Sequence, residues 1–201
     1  MKDILQESLQ KSIIYSEYRK LVTDLLNEGK STSNIQSEEL LNYSKLNDSR
    51  MKRLDKTFHL DDETIDALKK LDVDYMWLII TEGWCGDASQ IVPIINTIAE
   101  TASIEMKIVL RDENEALMNH FLTNGGKAIP KLIMLQKDTL EVLNTWGPRP
   151  KELADIIIAY KEQHGTIDNT IKKDMQVWYN TNKGKAIVEE LLELLGVTQL
   201  V

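Results

Sequence analysis

The sequence predicts an α/β protein in which a mixed β-sheet is flanked by helices, with further helices at both ends of the chain. Residues 75–81 form a continuous apolar run, which is typical of a strand buried on both faces. From residue 75 the apolar patterns follow the order β-α-β-α-β-β-α with short connections. A βαβ unit followed by a hairpin and a closing helix predicts a mixed sheet covered by helices.

The segment before residue 75 is predicted to be helical. Residues 1–28 carry apolar side chains at nearly helical spacing, which indicates one long amphipathic helix ending at Gly29. Residues 30–34 are interpreted as a polar linker. A helix over 37–56 with Ser37 as its N-cap follows, and a third helix over 62–71 starts at an aspartate cap.

The elements from residue 75 onward are predicted by changes in apolar period and by turn residues. After the first strand come a helix at 88–101 that contains Pro93, a second strand at 104–110 and a helix at 114–122 stopped by Asn124 and two glycines. Strands at 131–136 and 141–146 form a hairpin, and a helix at 150–164 opens with a proline and ends at Gly165. A last helical region covers 169–195.

Composition excludes several classes of function. The 201 residues carry a net charge of −8 with no block of Lys or Arg, so nucleic-acid binding is not expected. The N-terminus shows no signal-peptide pattern, and no apolar run approaches the roughly 20 residues that a membrane span requires. The single cysteine cannot form an internal disulfide, which fits a reducing compartment. A cytoplasmic location without membrane association is therefore predicted.

Three local motifs are more specific than the fold class. Trp84-Cys85-Gly86 follows the first strand, and Pro93 lies eight residues beyond the cysteine. Ile129-Pro130 immediately precedes a strand, and a Gly-Pro-Arg-Pro turn at 147–150 follows the last strand. Together with the element order, these motifs resemble the thioredoxin-like superfamily. The resemblance covers residues 73–163 and implies a three-layer thioredoxin-like domain, with helical extensions at 1–72 and 164–201.

The resemblance also implies a site and a mechanism. Cys85 takes the catalytic position, Pro130 corresponds to the cis-proline that faces the cysteine in this family, and the substrate-binding positions are Trp84, Gly86, Asp87, Ile129 and Pro130. The family's second cysteine is replaced by Ala88 and its buried aspartate by Ile79. An internal dithiol cycle cannot run, so a monothiol, mixed-disulfide mechanism in redox homeostasis is predicted. Its partners would be protein or low-molecular-weight thiols, and no cofactor or metal is expected.

The environment of the thiol is predicted to contain opposing charges. A helix N-terminus favours a thiolate at Cys85, because its N–H groups and dipole are positive there. Asp87 and Glu82 oppose the thiolate by like-charge repulsion. Arg111 and Lys131 are the candidate compensating cations, since each lies near a predicted strand end.

Two alternatives stay open at this stage. Cys85 can be an inert buried thiol, as free cysteines often are. The fold can also serve as a non-catalytic interaction module, with the helices of 1–56 and 169–195 binding a protein partner or forming a homodimer. His59, His120 and His164 lie far apart and show no metal-ligand spacing, which gives no support for a zinc site.

Overall fold

The computed structural model describes residues 1–197, which fall into two compact units, Met1–Pro148 and a second unit that begins at Arg149. The strands of these residues are β1 (Tyr75–Thr81), β2 (Glu105–Leu110), β3 (Lys131–Gln136) and β4 (Val142–Trp146). The helices are α1 (Lys2–Gln10), α2 (Tyr15–Asn27), α3 (Glu38–Thr57), α4 (Asp62–Leu68), α5 (Ala88–Thr101), α6 (Glu115–Met118), α7 (Lys151–His164), α8 (Asn169–Asn182) and α9 (Lys185–Leu194). The predicted fold class, a mixed sheet flanked by helices with additional helices at both ends, is confirmed.

The sheet has the strand order β2-β1-β3-β4, in which β1 is parallel to β2 and antiparallel to β3, and β3 is antiparallel to β4. The central strand β1 is buried from its second residue onward, as expected for a strand covered on both faces. It ends at Thr81, and the segment between Thr81 and α5 carries the cysteine. The peptide bonds before Pro130 and Pro148 are both cis.

The predicted single helix over 1–28 is wrong, because the chain leaves the helix at Lys11 and begins α2 at Tyr15. Ile13 between these helices forms a two-way backbone bridge with Ile108 of β2, through N–O distances of 2.9 and 2.8 Å. This bridge satisfies backbone groups of the outer strand β2 that would otherwise face away from the sheet. The N-terminal helices are thus attached to the sheet edge.

The predicted N-cap of α3 is confirmed, since Ser37 accepts a hydrogen bond from the Leu40 amide at 3.1 Å. The helix α4 is capped by Asp61 and is shorter than predicted. Arg19 of α2 pairs with two carboxylates of α3, Asp48 at 3.0 Å and Asp55 at 3.1 Å. This paired arginine fixes α2 against α3, which in turn packs on α5.

The predicted helix over 114–122 is largely replaced by tighter turns. Residues Arg111–Glu113 form a 3-10 turn, and α6 covers only Glu115–Met118. The amides of His120 and Phe121 donate three residues back rather than four, at 3.0 Å each. The apolar residues of this segment that are buried are Leu117 and Met118, so one helical turn is enough to bury them.

The second unit contains α7, α8 and α9. Gly165 ends α7 in the left-handed conformation, as predicted, and Asp168 caps α8. The predicted helical region at 169–195 is interrupted at Lys183 and Gly184, which both have positive φ. Within α9 the side chains of Ile187, Leu191 and Leu192 are buried. The described part of the chain contains no helix that is long and apolar enough to cross a membrane.

Candidate functional site

Cys85 lies in the turn between β1 and α5, with 7% of its surface exposed. Its sulfur accepts a hydrogen bond from the Ala88 amide at 3.5 Å, the first residue of α5. The same sulfur lies 3.3 Å from the carbonyl oxygen of Ile129, to which the thiol donates. The sulfur is thus in contact with a donor that suits a thiolate and with an acceptor that suits a thiol.

The predicted site residues surround this sulfur to different degrees. Ile129 contacts it directly, and Pro130 is buried next to Ile129 at the start of β3. Gly86 and Asp87 form the remainder of the turn; Gly86 accepts a hydrogen bond from the Ser89 hydroxyl at 2.7 Å, and Asp87 is buried at the N-cap position of α5. The structure thus brings two distant segments, 84–88 and 129–130, together at one thiol.

Trp84 is half-buried and lies beneath the guanidinium of Arg111, whose central carbon is 4.6 Å from the ring centroid. This stacking is a cation–π contact, which favours a positive charge on the face of the indole. Trp84 therefore lies next to the thiol in sequence and carries a fixed cation on its ring. Its indole Nε1 is buried without a hydrogen-bond partner in the described part of the chain.

The two predicted cations differ in what they contact. Arg111 donates from Nε and Nη2 to one carboxylate oxygen of Asp112, at 3.0 and 2.7 Å. Lys131 instead donates to the Thr123 hydroxyl at 2.8 Å and to the Gly147 carbonyl at 2.9 Å. Burial lowers the pKa of Lys131. Lys131 thus connects the start of β3 to the loops at Thr123 and Gly147, whereas Arg111 lies beside Trp84.

Glu82 differs most from its predicted role, which is that of a charge repelling the thiolate. It directly follows β1, is fully buried, and accepts hydrogen bonds from the Thr32 hydroxyl and from the Asp112 amide at 2.9 Å. Its backbone carbonyl accepts from the Cys85 amide at 3.2 Å. Glu82 therefore links the cysteine turn to two neighbouring segments.

Burial raises the pKa of Glu82 to about 7, against the opposing effect of its hydrogen bonds from Thr32 and Asp112. At neutral pH the carboxyl is consequently only partly ionised, and its repulsion of a Cys85 thiolate is smaller than the sequence implied. Tyr18 of α2 is also fully buried in this region. Its pKa is raised by burial first, and then by the neighbouring charges of Glu82 and Cys85.

The segment interpreted as a polar linker, 30–34, is instead part of the site. The side chains of Ser31, Thr32 and Ser33 are buried. The Thr32 oxygen accepts from the Gly83 amide at 3.0 Å, and the Ser33 hydroxyl donates to Asp112 at 2.9 Å. Small hydroxyl side chains are typical of a solvated linker as well as of a buried, hydrogen-bonded segment. Only these tertiary partners show that residues 31–33 belong to the second kind.

A cavity of about 470 Å³ opens beside Trp84. Part of its wall comes from the segment that follows Thr32, and the rest from the region after β2. The residues that line it are Ser33, Asn34, Ile35, Leu40, Trp84, Arg111, Asp112, Glu115 and Lys127. The volume lies within the range of small-molecule sites in proteins. A concave site of this kind was not predicted from the sequence.

Comparison with known proteins places this fold in a family. A family model described as thioredoxin matches residues 33–163, which is more than half of the chain. The chain belongs to the thioredoxin family.

Among solved structures, a protein of unknown function from Pseudomonas aeruginosa is 17% identical with a TM-score of 0.44, over 70% of this chain and 86% of that chain. An HIV epitope-scaffold is 16% identical with a TM-score of 0.47, over 79% of this chain and 97% of that chain. No curated protein matches the chain.

Proposed function

We propose that the protein exchanges thiols and disulfides through Cys85 alone, by a monothiol mechanism, with protein or low-molecular-weight thiols as its substrates. The observation that carries this proposal is the position of the Cys85 sulfur between the Ala88 amide and the Ile129 carbonyl. A helix-start amide stabilises the thiolate that attacks a disulfide. The predicted domain limits at 73 and 163 and a cytoplasmic role in redox homeostasis belong to the same proposal.

The reaction needs two exchanges because the chain has one cysteine. In the first, the Cys85 thiolate attacks a disulfide R–S–S–R′, forms a Cys85–S–S–R bond and releases R′–S⁻. In the second, an external thiolate R″–S⁻ attacks sulfur R, forms R–S–S–R″ and returns Cys85 as a thiolate. The Ala88 amide donates to the sulfur whenever it is anionic, at the start and end of each cycle.

A stoichiometric exchange with 2,2′-dipyridyl disulfide tests this cycle. We expect the folded protein to release one equivalent of 2-thiopyridone and to gain a pyridylthio adduct on Cys85. A thiol such as 2-mercaptoethanol in excess should then remove the adduct. The Cys85→Ser variant should release none. Release that occurs only after unfolding in urea would identify Cys85 as an inert buried thiol and refute the proposal.

Restoring the missing cysteine is expected to create an internal dithiol. The Ala88 amide lies 3.5 Å from the Cys85 sulfur, so a side chain at 88 begins close to it. The Ala88→Cys variant should form an 85–88 disulfide on mild oxidation and should reduce insulin disulfides in the presence of dithiothreitol, which the wild type should not do.

Val92→Cys is the matched control for this gain. Val92 is buried in the same helix, but it lies one further turn along, about 10 Å from Cys85 at 1.5 Å per residue. That cysteine adds a thiol without adding a resolving partner. Equal insulin reduction by Val92→Cys and Ala88→Cys would show that the 85–88 geometry is not responsible.

A further inference from the structure

The cavity beside Trp84 contains a guanidinium with one edge occupied and one edge available. Asp112 receives both hydrogen bonds of the side-on edge of Arg111, from Nε and Nη2. The remaining contact of the group, from Nη1 to the Lys127 carbonyl, is 3.4 Å long and therefore weak. Among residues 1–197, no carboxylate other than Asp112 is paired with Arg111. The end-on edge formed by Nη1 and Nη2 keeps the paired geometry that binds an oxyanion.

The position of this edge is fixed rather than left to a flexible side chain. The guanidinium is stacked on Trp84 and held in plane by Asp112, and about a quarter of the side chain is exposed. Asp112 is in turn fixed by the hydrogen bond that its carboxylate accepts from the Ser33 hydroxyl and by the one that its backbone amide donates to the Glu82 carboxylate. A bound anion would therefore meet a pre-organised donor pair, which reduces the entropy cost of binding.

The charges around the cavity favour a monoanion over a phosphate. The lining holds two cations, Arg111 and Lys127, and two carboxylates, Asp112 and Glu115. Lys127 is paired with Glu115 and so is already neutralised. A phosphate dianion would face both carboxylates at close range, whereas a single carboxylate requires only the available Arg111 edge.

The cavity also has apolar surface. Ile35 and Leu40 are among its lining residues, and the indole of Trp84 provides a third apolar group. A ligand that fits the cavity therefore combines a carboxylate with a short apolar part. Trp84, which directly precedes Cys85 in the chain, is the lining residue that connects the cavity to the cysteine turn.

We propose that this cavity binds the carboxylate of a small amino-acid-derived thiol or its disulfide on the end-on edge of Arg111, and so selects the substrate of Cys85. This assignment rests on the proposed thiol exchange for its biological use, but the binding itself does not need a reactive cysteine. Arg111 is in this view a binding residue that sets specificity, and Trp84 and Asp112 are the groups that hold it.

Binding is measured with unreactive probes on the Cys85→Ser protein. The probes are N-acetyl-S-methylcysteine, its carboxamide, and inorganic phosphate, titrated while the indole N–H signals are followed by NMR. We expect the carboxylate probe to bind about tenfold more tightly than the carboxamide, as a charge-assisted pair provides. The Trp84 indole signal should shift. Equal affinity for acid and amide, or tighter binding of phosphate, would overturn the assignment.

Substitutions in the cavity distinguish paired hydrogen bonding by the guanidinium of Arg111 from attraction by positive charge alone. Arg111→Lys keeps the charge but lacks the planar pair of donors, so the preference for acid over amide should fall to about twofold or less. The double variant Lys127→Gln, Glu115→Gln removes the other ion pair of the same cavity without changing its net charge, and it should leave the tenfold preference intact. Loss of the preference in this double variant together with its retention in Arg111→Lys would refute the role of the Arg111 edge.

A reactive pair of probes then separates this inference from the proposed function. The mixed 2-pyridyl disulfides of N-acetylcysteine and N-acetylcysteinamide both transfer their thiol to Cys85 with release of 2-thiopyridone. We expect wild type to react about tenfold faster with the acid, and Arg111→Lys to react with both at similar rates. No reaction with either disulfide, despite selective binding of the unreactive acid, would refute thiol exchange and leave the carboxylate site standing.

Discussion

Replacing Glu82 by glutamine is expected to remove a pH dependence of stability that the wild type shows between pH 5 and 8. Burial raises the pKa of Glu82 in the folded protein to about 7, above the 4.5 of the unfolded chain. Below pH 4.5 the carboxyl is protonated in both states, and above pH 7 it is ionised in both. Between these values the folded protein holds a proton that the unfolded chain has lost.

The sign of the effect follows from that difference in bound protons. Where the folded state binds more protons, the free energy of unfolding falls as the pH rises. The contribution of Glu82 is thus fully present at low pH and is lost by about pH 8. At about 1.4 kcal/mol per pH unit, the loss between pH 5 and 8 is about 2 to 3 kcal/mol. Glutamine does not titrate and can still form hydrogen bonds with Thr32 and the Asp112 amide.

Urea unfolding of wild type and Glu82→Gln at pH 5, 6, 7 and 8 measures this directly. The stability of the variant relative to wild type should rise by about 2 to 3 kcal/mol from pH 5 to pH 8, because other titrating groups contribute equally to both proteins. Glu115→Gln is the matched control: Glu115 is a surface carboxyl whose pKa Lys127 holds below its usual range, and its variant should keep the wild-type slope. A Glu82→Gln protein with the wild-type slope would contradict the prediction.

The parts of the fold that the sequence predicted are those determined by local pattern. The strand β1 has seven residues of continuous apolar character, and α5 carries isoleucines on one face, so both were predicted within a residue of their observed limits. The Ser37 cap belongs to the same class, because its partner lies only three residues away. Each of these features is determined within a short window of the chain.

The features that the sequence did not predict depend on partners far away in the chain. The break at Ile13 exists because β2, nearly 100 residues later, offers an edge for pairing. Thr32 and Ser33 resemble linker residues until Glu82 and Asp112 are placed beside them. Glu82 resembles a solvated charge in sequence, and its burial in the folded protein is the largest cause of its raised pKa. The cysteine motif was found because it is local, whereas its surroundings are tertiary.

Replacing Gly147 by alanine is expected to destabilise the protein by about 3 kcal/mol and to disturb the thiol site. Gly147 has a φ of +101°, and a Cβ there would lie 2.5 Å from the Pro130 carbonyl oxygen. Positive φ costs an L-residue about 1 kcal/mol, and overpacking against backbone adds about 1 to 3 kcal/mol. The Gly147 carbonyl also accepts a hydrogen bond from the Lys131 ammonium, so a shift of this turn weakens that hydrogen bond as well.

The site should respond because Pro130 follows Ile129, whose carbonyl oxygen contacts the Cys85 sulfur. We therefore expect the rate of Cys85 modification by 2,2′-dipyridyl disulfide to change together with the urea midpoint. Gly125→Ala is the control, since its φ is +75° but nothing lies within 4 Å of the added Cβ. Gly125→Ala should lower the free energy of unfolding only by the cost of positive φ, about 1 kcal/mol, and should leave the rate of Cys85 modification unchanged. Equal destabilisation by the two substitutions would show that the approach of Gly147 to Pro130 does not hold this side of the thiol site in place.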